Sequence, residues 1–283
     1  MIRITLCLQE ISNHQLANRF PNRKPLIVIK LGGAAITDKR NIYAPRISVI
    51  KSIAQQLRII EKNFSLIIVH GAGSYGHISV KKYGLAKGVT TGKHKVGLVQ
   101  TKSKLLELES ILNRMLCQHG LPVISMLASD VITTQNGRIK TCDLERIRRW
   151  RSFGCVPLIG GDIVQDTANG FRVISGDQIA VYLSVKLAAS KLIFGTDVDG
   201  VFDSDPKLKT AKLLPTVHLN SMRRMPRTTG GTTDVTGGMG GKLAECVTAL
   251  RNNVRVFVVS LLDQNRLRDV VCGHNTICSE ILL

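Results

Sequence analysis

Leu66-Ile67-Ile68-Val69 runs straight into His70-Gly71-Ala72-Gly73-Ser74-Tyr75-Gly76-His77, and this junction decides the fold. An unbroken apolar run bounded by a turn signal reads as a strand buried on both faces. The glycines that follow let main-chain N–H groups approach a ligand closely, as a phosphate nest requires. Gly71, Gly73 and Gly76 also spell the dinucleotide fingerprint G-x-G-x-x-G. That fingerprint needs an acid about 20 residues downstream for a ribose hydroxyl. Lys93 to Gln100 contains none, and the next acid is Glu107. A nicotinamide or flavin role is therefore disfavoured, and the alternatives are a phosphate cradle or a plain structural turn.

Working outward, strand and helix patterns alternate. Leu26–Lys30, Leu66–Val69, Val123–Met126, Val156–Ile159, Lys191–Gly195 and Val254–Val259 read as strands. Ile47–Lys62, a long stretch within Gly97–His119, Ser175–Ala189 and Gly240–Asn252 have helical apolar spacing. Asn136-Gly137 before Arg138–Thr141 suggests a small hairpin. The alternation predicts an α/β fold, a three-layer αβα sandwich around a mainly parallel sheet. Such sheets bind ligands beyond the carboxyl ends of their strands. Five polar or glycine-rich loops fall there: Lys30–Gly33, His70–His77, Gly160–Asp162, Thr196–Gly200 and Gly237–Lys242. An ordinary turn explains any one of them but not all five.

The 283 residues are 44% hydrophobic, enough for one large domain, and no run of 18 apolar residues suggests a transmembrane helix. Seven scattered cysteines, with no C-x-x-C pair, argue for a reducing compartment and against zinc or a disulfide framework. The formal charge of +19 admits nucleic acid or anionic substrates as partners. Aromatics at 4% leave few stacking platforms, so no specific nucleic-acid partner is expected. The clusters Arg146–Arg151 and Met222–Arg227 read as solvated basic faces. Residues 1–24 differ from the rest and fit a secretory signal poorly. They read as a flexible extension or an early start codon, with a transit peptide as the other reading, because Glu10 is their only acid.

In order, Ile29-Lys30-Leu31-Gly32-Gly33, His70–His77, Ser175-Gly176-Asp177, Thr196-Asp197-Val198-Asp199-Gly200 and Asp234–Met239 resemble the motifs of the amino acid kinase superfamily, over residues 25–283. The glycine loop ending in His77, with Ile36-Thr37-Asp38-Lys39, resembles the isopentenyl phosphate kinases within it. The resemblance implies an N-terminal lobe holding the phosphate acceptor and a lobe from about residue 160 holding ATP. It implies direct transfer of a phosphoryl group from ATP to isopentenyl phosphate, with Mg²⁺ travelling on ATP, in isoprenoid precursor synthesis. It further implies a cytoplasmic homodimer without membrane insertion.

Residue by residue, the resemblance makes Lys30, Lys39, His77, Asp177 and Lys242 the catalytic set. Lys30 and Lys39 would contact the transferred group, and Asp177 would orient Lys30 and Lys242. Lys30, Leu31, Gly32, Gly33, Ala34, Gly73, Asp197, Gly238 and Lys242 would hold ATP. Ala72, Gly73, His77 and Gly176 would hold the acceptor, with Ile78, Val80, Tyr83 and Leu85 walling its tail. Three departures stand out: Ala72 where many relatives have a third glycine, Ala34 where serine is common, and Gly240-Gly241 before Lys242. Fosfomycin kinases share the terminal histidine. They remain an alternative, as do other kinases of the superfamily and a basic binding protein on a kinase fold. Walker A is absent, so a P-loop kinase is excluded.

Overall fold

A computed structural model describes residues 24–38, 41–85, 88, 92–222 and 238–283. Strand β1 (Leu26–Leu31) leads into the single turn α1 (Gly33–Ile36) and helix α2 (Ile47–Ile60). Strand β2 (Ser65–His70) feeds α3 (Gly73–Tyr83), and α4 (Gly92–Gln118) returns the chain to β3 (Val123–Ser125). A short turn, α5 (Ala128–Val131), opens the hairpin β4 (Ile132–Gln135) and β5 (Arg138–Cys142), followed by α6 (Leu144–Ser152) and β6 (Val156–Gly160). A second hairpin, β7 (Asp162–Asp166) and β8 (Gly170–Ile174), precedes α7 (Gly176–Lys186) and β9 (Lys191–Thr196). The short pieces β10 (Val201–Phe202), β11 (Leu213–Leu214), β12 (Thr216–His218) and α8 (Leu219–Met222) come next. The chain closes with α9 (Gly238–Arg251), β13 (Arg255–Ser260), α10 (Arg266–Cys272) and β14 (Ser279–Leu282).

The main sheet has the order β12-β14-β13-β9-β1-β2-β6-β3. From β13 to β3 every neighbouring pair is parallel; β14 pairs antiparallel with β13, and β12, parallel to β14, shares its reversed direction. Strand parity sorts the two cores. Leu26 and Val28 of β1 join Ile67 and Val69 of β2 in a layer with α7 and α9. Ile27, Ile29 and Leu31 join Leu66 and Ile68 in a layer with α2, α4 and α10. Helix α2 shows why it packs there: Ile50, Ile53, Ala54, Leu57 and Ile60 repeat at helical spacing and are all buried.

Because the central strands are parallel, their carboxyl ends share one edge. The four-stranded sheet β5-β4-β7-β8 grows out of that edge through Gly161. It is knotted by Asp166, whose carboxylate accepts from the N–H groups of Asn136 (3.2 Å), Gly137 (2.7 Å), Ala168 (3.0 Å) and Asn169 (2.9 Å) and from the Thr134 hydroxyl (2.8 Å). Burial works to raise this carboxyl's pKa, but the hydrogen bonds outweigh it and hold it well below the usual carboxylate range. The Asn136-Gly137 turn has both residues at positive φ, as a two-residue hairpin demands. Gly137 O accepts from Gln178 Nε2 (3.2 Å), and Arg138 pairs with Glu245, so the hairpin touches both α7 and α9.

The basic run Arg146–Arg151 lies on α6, where Ile147 alone is buried. Residues 223–227 of the second basic cluster, the Asp234–Gly237 part of the last motif and Lys39 lie outside the described residues. No described helix is long and apolar enough to cross a membrane.

Candidate active site

The even-numbered face of β1 places Lys30 under α7 and α9. Lys30 Nζ lies 2.8 Å from Asp177 Oδ1, and Lys242 Nζ lies 2.9 Å from Asp177 Oδ2. All three side chains are buried, at 7%, 9% and 7% exposure for Lys30, Asp177 and Lys242. Asp177 sits in the first turn of α7, which Ser175 caps by accepting from the Gln178 N–H (3.1 Å). Burial would raise the Asp177 pKa; Lys30 and Lys242 overcome it and hold the carboxyl far below its ordinary value. Lys242 also stands over the Phe194 ring, 4.6 Å from its centroid. Two ammonium groups share one carboxylate, so this cluster carries a surplus positive charge.

Above it, two glycine loops touch. A Cβ on Gly33 would stand 2.4 Å from Gly73 N, and one on Gly71 would stand 2.8 Å from Gly33 N. Gly73 has φ +51°, and a Cβ there would strike Thr37 Oγ1 at 2.2 Å. The Thr37 hydroxyl donates to Gly33 O (2.7 Å) and accepts from Ser74 N (3.0 Å), clasping the loops together. Gly176 packs on the same loop, since its Cβ would meet His70 O at 2.7 Å. Ala72 is the N-cap position of α3, and His77, half-buried, follows one turn along from Gly73.

The structure thus brings Lys30, Gly33, Ala34, Ala72, Gly73, His77, Gly176, Asp177, Gly238 and Lys242 to one strand edge, with Asp197 just past β9. Two of the expected ATP contacts need correction. The Gly32 N–H is already bonded to Gly195 O (2.8 Å), so it is not a donor to phosphate; its glycine is required because a Cβ would lie 2.5 Å from that oxygen. Leu31 is a core residue in the α2 layer, and its carbonyl accepts from Gly71 N (2.9 Å). Among the described residues, the donors of this loop left without an acceptor are those of Gly33 and Ala34. Among the expected tail residues, Val80 and Leu85 form a small apolar cluster with Ile163, flanked by Tyr83, Leu98 and Val173. Ile78 is 38% exposed and lies outside it.

Several pairings had no signal in the sequence. Arg266 pairs with Asp199 and with Asp263 (3.3 Å) beside the β9 loop. Lys102 bonds Asp162 Oδ2 (2.5 Å) and Ser129 Oγ (2.8 Å). His70 and Glu109 form a buried pair. His70, Asp162, Asp199 and Thr37 lie inside quoted motifs, but the partners Glu109, Lys102 and Arg266 are distant in sequence, and no local pattern reveals them.

The donor set is lysines, main-chain N–H groups and one carboxylate already committed to two lysines. Among the described residues no group of three His, Cys, Asp or Glu side chains could hold a metal. The cluster fits a polyphosphate. Mg²⁺ fits as its companion, with ligands drawn from phosphate oxygens and water.

Buried lysines at a glycine-lined edge of a parallel sheet, without a Walker A loop, define a small-molecule phosphotransferase. A family model, that of the amino acid kinase family, matches residues 25–260, and the chain belongs to this family. Within it, the chain is 34% identical to the isopentenyl phosphate kinase of Methanothermobacter thermautotrophicus, over 88% of this chain and 96% of that protein. Among solved structures, an isopentenyl phosphate kinase superposes with a TM-score of 0.79 at 30% identity, covering 90% of this chain and 99% of the other. The Thermoplasma acidophilum isopentenyl phosphate kinase product complex gives 0.76 at 25% identity, over 90% and 99% of the two chains.

Proposed function

We propose that this protein transfers the γ-phosphoryl group of ATP to isopentenyl phosphate, yielding isopentenyl diphosphate and ADP. The observation that carries this reading is the contact of the Gly33 and Gly73 loops directly above the Lys30–Asp177–Lys242 cluster, in a chain whose relatives include named isopentenyl phosphate kinases. An oxygen of the acceptor phosphate attacks the γ-phosphorus, the bond to the β,γ-bridging oxygen breaks, and ADP leaves with that electron pair. Little covalent work falls to the protein; positioning and charge neutralisation are its task.

Lys30 and Lys242, both braced by Asp177, neutralise charge on the transferring group and on the ATP phosphates. The Gly33 and Ala34 N–H groups donate to ATP phosphates, and Gly238 opens α9 toward them. Asp197 lines the nucleotide side, and Lys39 would supply a further cation to the transferring group, as the family resemblance implies. Ala72 and Gly73 stand between γ-phosphate and acceptor, with Gly176 supporting that loop from below. His77 donates a hydrogen bond to the non-attacking oxygens of the acceptor phosphate. Val80, Tyr83, Leu85, Leu98, Ile163 and Val173 receive the apolar tail. Mg²⁺, when bound with ATP, supplies further charge neutralisation on the phosphates. The reading places the enzyme in isoprenoid precursor synthesis, as a homodimer in the cytoplasm.

An ADP-release assay with Mg²⁺-ATP tests this directly, comparing isopentenyl phosphate, fosfomycin, acetylglutamate and uridylate. Isopentenyl phosphate is expected to exceed the others by at least about a hundredfold in kcat/KM, the discrimination a site built to pair specific polar groups reaches. Preference for another acceptor would overturn the substrate assignment. His77→Ala is expected to lower kcat with isopentenyl phosphate by about 10²-fold, the effect of losing one donor to developing charge. The KM for ATP should stay within about twofold, because the lost contact is on the acceptor side. Unchanged turnover would remove His77 from the mechanism.

A further inference from the structure

His70 is the last residue of β2, and its parity sends the side chain to the face opposite Lys30, under α4. The ring is buried, at 1% exposure. Nδ1 lies 3.1 Å from Gly71 O, and Nε2 lies 2.5 Å from Glu109 Oε2 on α4. A Cβ on residue 160 would stand 2.5 Å from Nε2, so Gly160 is what lets the ring slide under the end of β6. The main chain of His70 is equally committed: its carbonyl accepts from Gly161 N (2.9 Å).

A carbonyl oxygen only accepts, so the nitrogen facing Gly71 O must carry a proton. In a trans peptide the C=O and the following N–H point in opposite directions. Holding Gly71 O inward against the ring therefore turns the Ala72 N–H outward, and among the described residues that N–H has no acceptor. We infer that the His70–Glu109 pair is a positioning device that locks the Gly71–Ala72 peptide so that the Ala72 N–H donates to the phosphate being transferred. This rests on the reading that Ala72 stands between γ-phosphate and acceptor.

Glu109 contributes in two ways. Its carboxylate fixes the ring plane by engaging Nε2, and it compensates a charge on an imidazole that burial alone would keep neutral. Burial acts to lower the His70 pKa, and the Glu109 carboxylate more than reverses this, leaving it raised. The remaining charged groups of the neighbourhood, Asp162 and its partner Lys102, line the same small cavity beside the ring. An aliphatic side chain at position 70 would fill the space but leave Gly71 O unbonded, and the peptide would be free to turn over.

Two isosteric substitutions separate positioning from mere packing. The amide nitrogen of Asn overlays Nδ1, whereas that of Gln overlays Nε2. His70→Asn keeps the donor to Gly71 O and is expected to retain kcat within about tenfold of the parent. His70→Gln keeps only the reach to Glu109, and its kcat with isopentenyl phosphate is expected to fall by about 10²-fold, as when one donor to a transition-state oxygen is lost. The KM for ATP should change by less than about twofold in both. Equal activities of the two variants, or a Gln variant more active than the Asn variant, would overturn the inference. Imidazole ¹⁵N resonances of the histidine-labelled parent protein give a second arm that needs no variant at position 70 and no substrate, with Glu109→Gln used only to assign the signal. The histidine whose signals respond to Glu109→Gln is expected to be protonated at Nδ1, and an unprotonated Nδ1 would equally overturn it. The parent's rate with isopentenyl phosphate tests the functional reading separately, so failure of one is distinguishable from failure of the other.

Discussion

Asp177→Asn is expected to lower kcat by about 10²–10³-fold while leaving the KM for ATP much less affected. The carboxylate holds Lys30 at 2.8 Å and Lys242 at 2.9 Å in a buried setting. The neutral amide cannot neutralise either, and its NH₂ group repels one of them. ATP, a polyanion, still finds two cations, so binding survives. What is lost is their fixed placement around the transferring group, which electrostatic catalysis requires. Leaving buried charges without their partner should also cost about 3–5 kcal/mol of stability. Thermal unfolding without nucleotide measures this, and saturating ATP should restore part of it by binding the folded state. A pH series gives an independent reading. The folded-state pKa of Asp177 is depressed below its unfolded value, so its stabilisation is complete above about pH 4, the unfolded carboxyl range. It drains away as pH falls from there toward the lower folded value. The gap in stability between parent and variant should therefore be widest near neutrality and close in acid. A variant with parental kcat and melting temperature would remove Asp177 from the organisation of the site.

The sequence showed the layers of this fold more clearly than its connections. β1, β2 and β9 announce themselves because strands buried on both faces read as nearly continuous apolar runs, and α2 because its apolar residues recur on one stripe. The hairpin β7–β8 did not, since Asp162-Ile163-Val164-Gln165-Asp166 carries acids at both ends whose partners come from elsewhere: Lys102 and Ser129 for the first, the Asn136-Gly137 turn for the second. β14 is short and pairs against the direction of its neighbour β13. At the site, the glycine loops and the order of the motifs carried the family resemblance, and that resemblance implied Lys30, Asp177 and Lys242, whose side chains meet in the structure. They could not tell which glycine donates and which is merely small. Gly32 and Gly33 are identical letters, yet one N–H is bonded to Gly195 O and the other has no acceptor among the described residues. Nor could they pair His70 with Glu109, because that contact depends on strand parity and on the rotation of a 27-residue helix.

That distinction between adjacent glycines underlies the other large expected effect. Gly33→Ala should reduce kcat/KM by about 10²-fold or more for ATP and isopentenyl phosphate alike. The added Cβ would lie 2.4 Å from Gly73 N and 2.6 Å from Gly73 Cα. Both are backbone atoms, and Gly73 is held at φ +51° beneath the Thr37 clasp, so no side chain can swing aside. Relief to an ordinary contact needs the loops to part by roughly 1 Å, and a displacement of that size in a transfer geometry costs about two orders of magnitude. The Gly33 backbone itself is in ordinary helical conformation, so the substitution brings no positive-φ strain, and helix propensity works slightly in its favour. Activity should thus fall much further than the melting temperature. Gly84→Ala supplies the contrast. Gly84 has φ +65° with nothing within 4 Å of its would-be Cβ, so it should lose about 1–2 kcal/mol through left-handed backbone strain and keep parental kcat. If instead Gly33→Ala were fully active, the two loops would not meet around the transferring phosphate, and the donors of the transfer site would have to lie elsewhere on this edge.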